Sequence, residues 1–229
     1  MVTPFTSQGK VDYSGLQKLT EHLIDGGVDY LVVHGTTGES PTLSNAEKRS
    51  VLDFILEVNS KRLPVVVGIG GNNTAAIAKE MAETDFKGVS AVLSVSPAYS
   101  RPTQEGIYQH YKMIAAACPL PIILYNVPSR TASNIEAATT LRIAQDIPNV
   151  VAIKEASGDM SQIMRVIKDS PEGFEVLSGD DALGLSVITN GGKGVISVVG
   201  NAFPKQYGAM VHAALDGYMK EAGQLHQNL

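Results

Sequence analysis

Eight short apolar, β-branched runs recur along the chain, with starts 20 to 35 residues apart, and this recurrence limits the fold more than any single motif does. In order they are Val2–Phe5, Tyr30–His34, Val65–Ile69, Ala91–Val95, Ile122–Asn126, Val150–Glu155, Glu175–Ser178 and Val195–Val199. Runs that are apolar at nearly every position read as parallel strands buried on both faces. Between them lie amphipathic stretches, such as Leu16, Leu19, Leu23 and Ile24 at helical spacing. Ser44-Asn45-Ala46-Glu47 fits a capping box before the second stretch, and Gly26-Gly27 ends the first where a left-handed residue is wanted. One βα unit repeated eight times predicts the α/β class and a TIM (β/α)8 barrel over residues 1–215. No Gly-x-Gly-x-x-Gly follows the first run, which disfavours a doubly wound open sheet. Residues 216–229 begin a fresh amphipathic helix, read as the start of a truncated C-terminal helical region.

Composition excludes several classes of function. The longest apolar runs fall far short of the ~20 residues of a membrane span. The start, Met1-Val2-Thr3-Pro4-Phe5, has no basic and apolar leader, so the expected compartment is the cytoplasm. Cys118 is the only cysteine, which removes disulfides and Cys-rich metal sites, and its flanks read as the end of an apolar helix with a buried, inert thiol. The net charge is −5 and no basic block occurs, so nucleic acid is not an expected partner. The five histidines show no metal-ligand spacing, and no metal site is expected.

In a barrel of this kind the chemistry sits where strands end and βα loops begin. Lys154 closes the sixth run, on the same face as Val150 and Ala152 under strict alternation. If that face is the interior, desolvation lowers the amine pKa and makes the lysine a Schiff-base nucleophile. The competing reading is a structural lysine paired with Glu155 or Asp180. Tyr125 ends the neighbouring run, where its phenol can shuttle protons. Thr36 and Thr37 lie in a Gly-bounded turn suited to a carboxylate, and Arg130 can fork onto a second one. Glu39 and Glu155 form a weaker candidate pair for glycoside hydrolysis. Asp180-Asp181 puts negative charge where a phosphate would bind, which disfavours phosphosugars.

Gly35-Thr36-Thr37-Gly38-Glu39-Ser40, Tyr125-Asn126-Val127-Pro128-Ser129-Arg130-Thr131 and Ile153-Lys154-Glu155-Ala156-Ser157-Gly158 resemble, in order and spacing, the signatures of the 4-hydroxy-tetrahydrodipicolinate synthase family. The lysine and Tyr-Asn-x-Pro motifs are shared across the class I pyruvate aldolase superfamily, whereas Ser-Arg-Thr with the paired threonines is more specific. The resemblance implies an imine between Lys154 and pyruvate, with Thr37 and nearby amides holding the pyruvate carboxylate. It implies a proton relay of Tyr125, Thr36 and Tyr99, the last reaching a neighbouring subunit, and Arg130 binding the carboxylate of aspartate semialdehyde. Gly179 and the Ile196 carbonyl match positions lining the pocket. No cofactor is implied, because the protonated imine is the electron sink, and the expected assembly is a dimer or tetramer.

Two departures from the family pattern stand out. Where lysine-inhibited members carry a histidine, a glutamate and a tyrosine, this chain has Lys48, Ala76 and Ala98, so weak or absent lysine inhibition is expected. Family chains also begin a few residues earlier and continue into a C-terminal helical domain. The alternatives are a 2-keto sugar acid aldolase such as N-acetylneuraminate lyase, using the same Lys154 and Tyr125, and a non-catalytic binding barrel.

Overall fold

A computed structural model of the chain describes residues 1–229. Six of the expected runs form a parallel sheet ordered β1 to β6: β1 (Leu31–Val33), β2 (Val65–Gly68), β3 (Ala91–Val95), β4 (Ile122–Asn126), β5 (Val150–Glu155) and β6 (Glu175–Ser178). The helices between them are α1 (Tyr13–Asp25), α2 (Asn45–Asn59), α3 (Thr74–Glu83), α4 (Gln104–Ala117), the short α5 (Pro128–Thr131), α6 (Ala137–Asp146) and α7 (Met160–Asp169). Then come α8 (Gly184–Thr189), α9 (Pro204–Leu215) and α10 (Met219–His226). Parallel neighbours in sequence order require one helical crossover after another, which is the repeat read from the sequence.

The first and last runs do not form regular strands. In Val2–Phe5, Pro4 has no N–H to give a ladder, and only Phe5 bridges, antiparallel to Val11. The final run pairs briefly with β6: Lys193 N–H donates to Val176, Ser178 N–H to Gly194 and Ile196 N–H to Ser178, each at 2.9 Å. It then leaves the sheet, because the N–H groups of Val198 and Val199 donate to the Asp181 carboxylate instead, both at 2.9 Å. The sheet edges nevertheless approach each other. The Met1 backbone amine donates to the Val32 carbonyl of β1 at 2.8 Å, and the Val2 N–H donates to Asn201 Oδ1 at 2.9 Å.

Side chains divide between two apolar regions. The outer face of the sheet packs under the helices in the larger cluster, which includes Val65, Ile122, Leu124 and Ile153. The inner face gathers Val66, Leu93, Ile123, Tyr125, Ala152 and Ile196. A register shift pairs Ile122 with Val150 but Ile123 with Ala152, so Val151 is an extra residue. Lys154 therefore shares the inner face with Ala152, while Val150 packs outside, contrary to strict alternation.

Local signals behave as their chemistry predicts. Ser44 and Glu47 form a reciprocal capping box on α2. Gly27, at φ 78°, takes the left-handed turn after α1, while Gly26 stays right-handed. Cys118 follows α4 as a buried thiol whose pKa burial raises. No helix is long and apolar enough to cross a membrane.

His110 on α4 is buried, bonded to the Thr74 hydroxyl through Nδ1 at 2.8 Å, and burial lowers its pKa to about 4. Between 6.5 and that value the unfolded chain binds a proton that the folded chain refuses. The stability from this site is therefore present above pH 6.5 and lost as pH falls toward 4. Urea unfolding of His110→Phe is expected to show a smaller loss of stability across that window than the parent; an identical slope would contradict the assignment.

Candidate active site

Register places the central pair. β4 and β5 align Tyr125 with Lys154 and Asn126 with Glu155 across the ladder. Alternation then sends the first pair inward and the second toward the helices. The Lys154 amine lies 4.3 Å from the centre of the Tyr125 ring, and both side chains are buried.

Lys154 is not the paired structural lysine of the competing reading. It belongs to none of the seven ion pairs of the chain. Glu155 faces the other side of the strand and bonds Asn126, Ser157 and Gln162. The acid that acts on Lys154 is Asp181, not Asp180. Burial lowers the lysine pKa from 10.5 to about 8, with the Arg130 charge acting in the same direction and Asp181 opposing both. At pH 7 about one amine in ten is then neutral, against about one in several thousand for an ordinary lysine. Tyr125 has a pKa raised by burial, partly offset by the Thr36 hydroxyl and the Arg130 charge.

The threonine turn sits over this pair. His34, at φ 60°, directly follows β1, and Thr36–Gly38 coil into one 3-10 turn. The N–H groups of Thr36 and Thr37 donate to no acceptor in the chain, which leaves two donors for an anion. Gly35 and Thr36 line two small cavities. One of about 120 Å³ also reaches Thr37, Lys154, Ile196 and Ser197, and the other, about 140 Å³, reaches Tyr125. Both are well below the ~300 Å³ at which pockets for drug-sized ligands begin, so the site suits a molecule of few atoms.

Other predicted residues lie at varied distances from the pair. Gly179 presses on the lysine: a Cβ there would come within 2.9 Å of Lys154 Cε and 2.8 Å of Ala156 Cβ. Ile196 packs in the inner cluster beside Tyr125. Arg130 is exposed on α5, and acts on Lys154 and Tyr125 through its charge. Tyr99 does not join the pair within this chain: it is 90% exposed at φ 68°, with its N–H on the Thr131 carbonyl at 3.1 Å. Glu39 is exposed and Glu155 faces the helices, so they are not a facing carboxylate pair. The amides of Val198 and Val199, which could have met a phosphate, are taken by Asp181. No three His, Cys, Asp or Glu side chains converge to hold a metal ion. The sequence reading missed Asp181 as the acid near the lysine, and the amide network behind Asn126 and Glu155. Alternation beyond Tyr125 and Lys154 was the available signal for the second.

A lysine held partly neutral beside a phenol, at the carboxyl ends of parallel strands, is the arrangement that Schiff-base enzymes of the class I aldolase type use. The chain belongs to the dihydrodipicolinate synthetase family, which matches residues 1–229. It is 52% identical to the 4-hydroxy-tetrahydrodipicolinate synthase of Flavobacterium psychrophilum over all of this chain and 78% of that protein. The crystal structure of dihydrodipicolinate synthase from Aquifex aeolicus superposes with a TM-score of 0.95 at 41% identity, covering 100% of this chain and 78% of that one. The chloride-inhibited dihydrodipicolinate synthase of Acinetobacter baumannii, solved in complex with pyruvate, gives 0.95 at 40% identity, covering 99% and 78%.

Gly179→Ala forces Lys154 and Ala156 aside. It is expected to destabilise the chain by about 1–3 kcal/mol in denaturant unfolding and to slow labelling of Lys154 by amine reagents several-fold. Labelling at the parent rate would show that Gly179 does not hold the lysine in place.

Proposed function

We propose that this chain condenses pyruvate with L-aspartate 4-semialdehyde, as a 4-hydroxy-tetrahydrodipicolinate synthase of the lysine and diaminopimelate route. The observation that carries the reading is the buried, unpaired Lys154 amine, its pKa brought to about 8, facing Tyr125. The neutral amine attacks the pyruvate ketone, water leaves, and a protonated imine remains. Tyr125, with Thr36 beside it, supplies and accepts the protons of these steps. The Thr36 and Thr37 N–H groups and the Thr37 hydroxyl hold the pyruvate carboxylate. Loss of a methyl proton gives the enamine, whose carbon attacks the aldehyde. The amine of the bound adduct then attacks the imine carbon and displaces Lys154 as the ring closes.

Arg130, exposed at the rim, meets the carboxylate of the second substrate, while Gly179 and the Ile196 carbonyl bound the pocket around the imine. The exposed Tyr99 ring on a left-handed backbone supports a relay completed between two copies, so the working form is a dimer or larger homo-oligomer. The inner cluster and the contacts of the first and last runs with the sheet support a (β/α)8 barrel over residues 1–215, with a helical region beginning at 216. α10 already folds back on α9, burying Ala222.

Incubation with pyruvate followed by borohydride is expected to add one reduced pyruvate at Lys154, located by peptide mass mapping; no adduct on folded protein would contradict the reading. Arg130→Ala is expected to keep that adduct and to raise KM for aspartate semialdehyde roughly 10- to 100-fold, the loss of one charge-assisted contact. An unchanged KM would favour the sugar acid aldolase. Lys48 and Ala76 line a cavity between α2 and α3 in which the cations Lys48, Arg49 and Lys79 outnumber the acids Glu80 and Glu83, so a lysine titration is expected to inhibit weakly or not at all. Strong, saturable inhibition would contradict this.

A further inference from the structure

Behind the lysine and tyrosine lies a buried carboxylate that the reaction scheme does not use. Glu155 is 1% exposed and faces no cation. Its partners are all neutral donors: Asn126 Nδ2 at 3.1 Å from each oxygen, the Ser157 N–H at 2.7 Å and Gln162 Nε2 at 3.1 Å. Burial raises its pKa, and these donors act against the rise. Burying an ionisable group without a counter-charge costs stability, and a well-packed apolar side chain would serve packing alone better.

The bonds continue in a directed way. Asn126 Nδ2 also donates to Asn134 Oδ1 at 2.8 Å, and Asn126 Oδ1 accepts the Ile135 N–H at 2.9 Å. Gln162 accepts from Asn134 Nδ2 at 2.9 Å and donates to the Ile135 carbonyl at 3.2 Å. Asn126 directly follows Tyr125, and Glu155 directly follows Lys154, so the network joins the residues next to the reacting pair. It also closes the 127–135 segment that carries Arg130, and it begins the loop after β5 at Ser157.

We propose that Glu155 is a positioning residue for the reaction: through Asn126 it holds Tyr125 opposite Lys154 and fixes the segment bearing Arg130. The proposal rests on the imine reading above. Its energetic logic is that of a supporting polar layer: displacement of a reacting group by 1 Å can cost about a hundredfold in rate.

Glu155→Gln keeps the shape but sets an amide NH2 against donors that need an acceptor. The double variant Asn126→Asp/Glu155→Gln again faces a donor with an acceptor. The measurement is the rate of borohydride-trapped pyruvate adduct at Lys154 against pH, on the full chain, with circular dichroism and thermal melting alongside. Glu155→Gln is expected to keep the parent spectrum and to trap pyruvate about tenfold or more slowly. Because loosened strand ends readmit water to the Lys154 amine, its pH midpoint should move upward from about 8, and the double variant should recover most of both losses; a downward move, the effect of losing a carboxylate charge alone, overturns the proposal. Gln162→Met removes one donor from a half-buried position on α7 and is expected to move the midpoint the same way by less; it carries the test if Glu155→Gln does not fold. An unmoved midpoint, with a rate that follows only the folded fraction, overturns the proposal and makes Glu155 a scaffold residue. Absence of an adduct in the parent protein overturns the imine reading itself.

Discussion

The pairing of β4 with β5 is the constraint on which the site depends. One register sets Tyr125 beside Lys154 on the inner face and Asn126 beside Glu155 on the outer face. A slip of β5 by one residue against β4 would set Glu155 beside Tyr125 on the inner face, placing a carboxylate in the cavity and burying the amine among the helices. The extra residue at Val151 makes this arrangement compatible with a packed outer face: without it, Val150 would turn inward and leave the outer apolar cluster. The bulge therefore reconciles the demands of packing with those of chemistry.

Electrostatics follow from the same geometry. Both acids next to the lysine in sequence or space are engaged elsewhere: Glu155 by three amide donors, and Asp181 by two backbone amides from the segment after Ile196. Neither closes an ion pair on the amine. Desolvation then outweighs the distant attraction of Asp181, and the lysine keeps a useful neutral fraction. The same Asp181 contact draws residues 198–199 out of the sheet, so one carboxylate shapes both the last strand and the charge balance of the pocket. The seventh-to-eighth strand region, where other barrels hold phosphate, is occupied internally.

Much of this was readable in the sequence, for physical reasons that differ by element. Runs buried on both faces, separated by amphipathic helices, fix parallel neighbours in chain order, and strand ends then name the candidate residues. Lys154, Tyr125, Thr36 and Thr37 are found in that way and Gly179 through the family resemblance, and the five lie close together at the strand ends. The fate of the last run was not readable, because Asp181 acts on it through backbone hydrogen bonds that leave no periodic trace, whereas the first run carried its own signal in Pro4, which has no N–H for a ladder. The face of Val150 was misjudged for a related reason: a bulge shifts register without changing composition. Tyr99 stands apart from the pair, and nothing in the spacing of one chain states what its exposed ring meets.

The chemistry turns on one quantity, the ionisation of the Lys154 amine in the folded protein. It can be read directly by following labelled lysine side-chain resonances against pH, with Lys154→Arg identifying the signal. A midpoint near 8 is the result the structure predicts. A midpoint at or above ~10, the range of an ordinary exposed lysine, would contradict the account, because the amine would then be solvated or paired rather than held ready to attack.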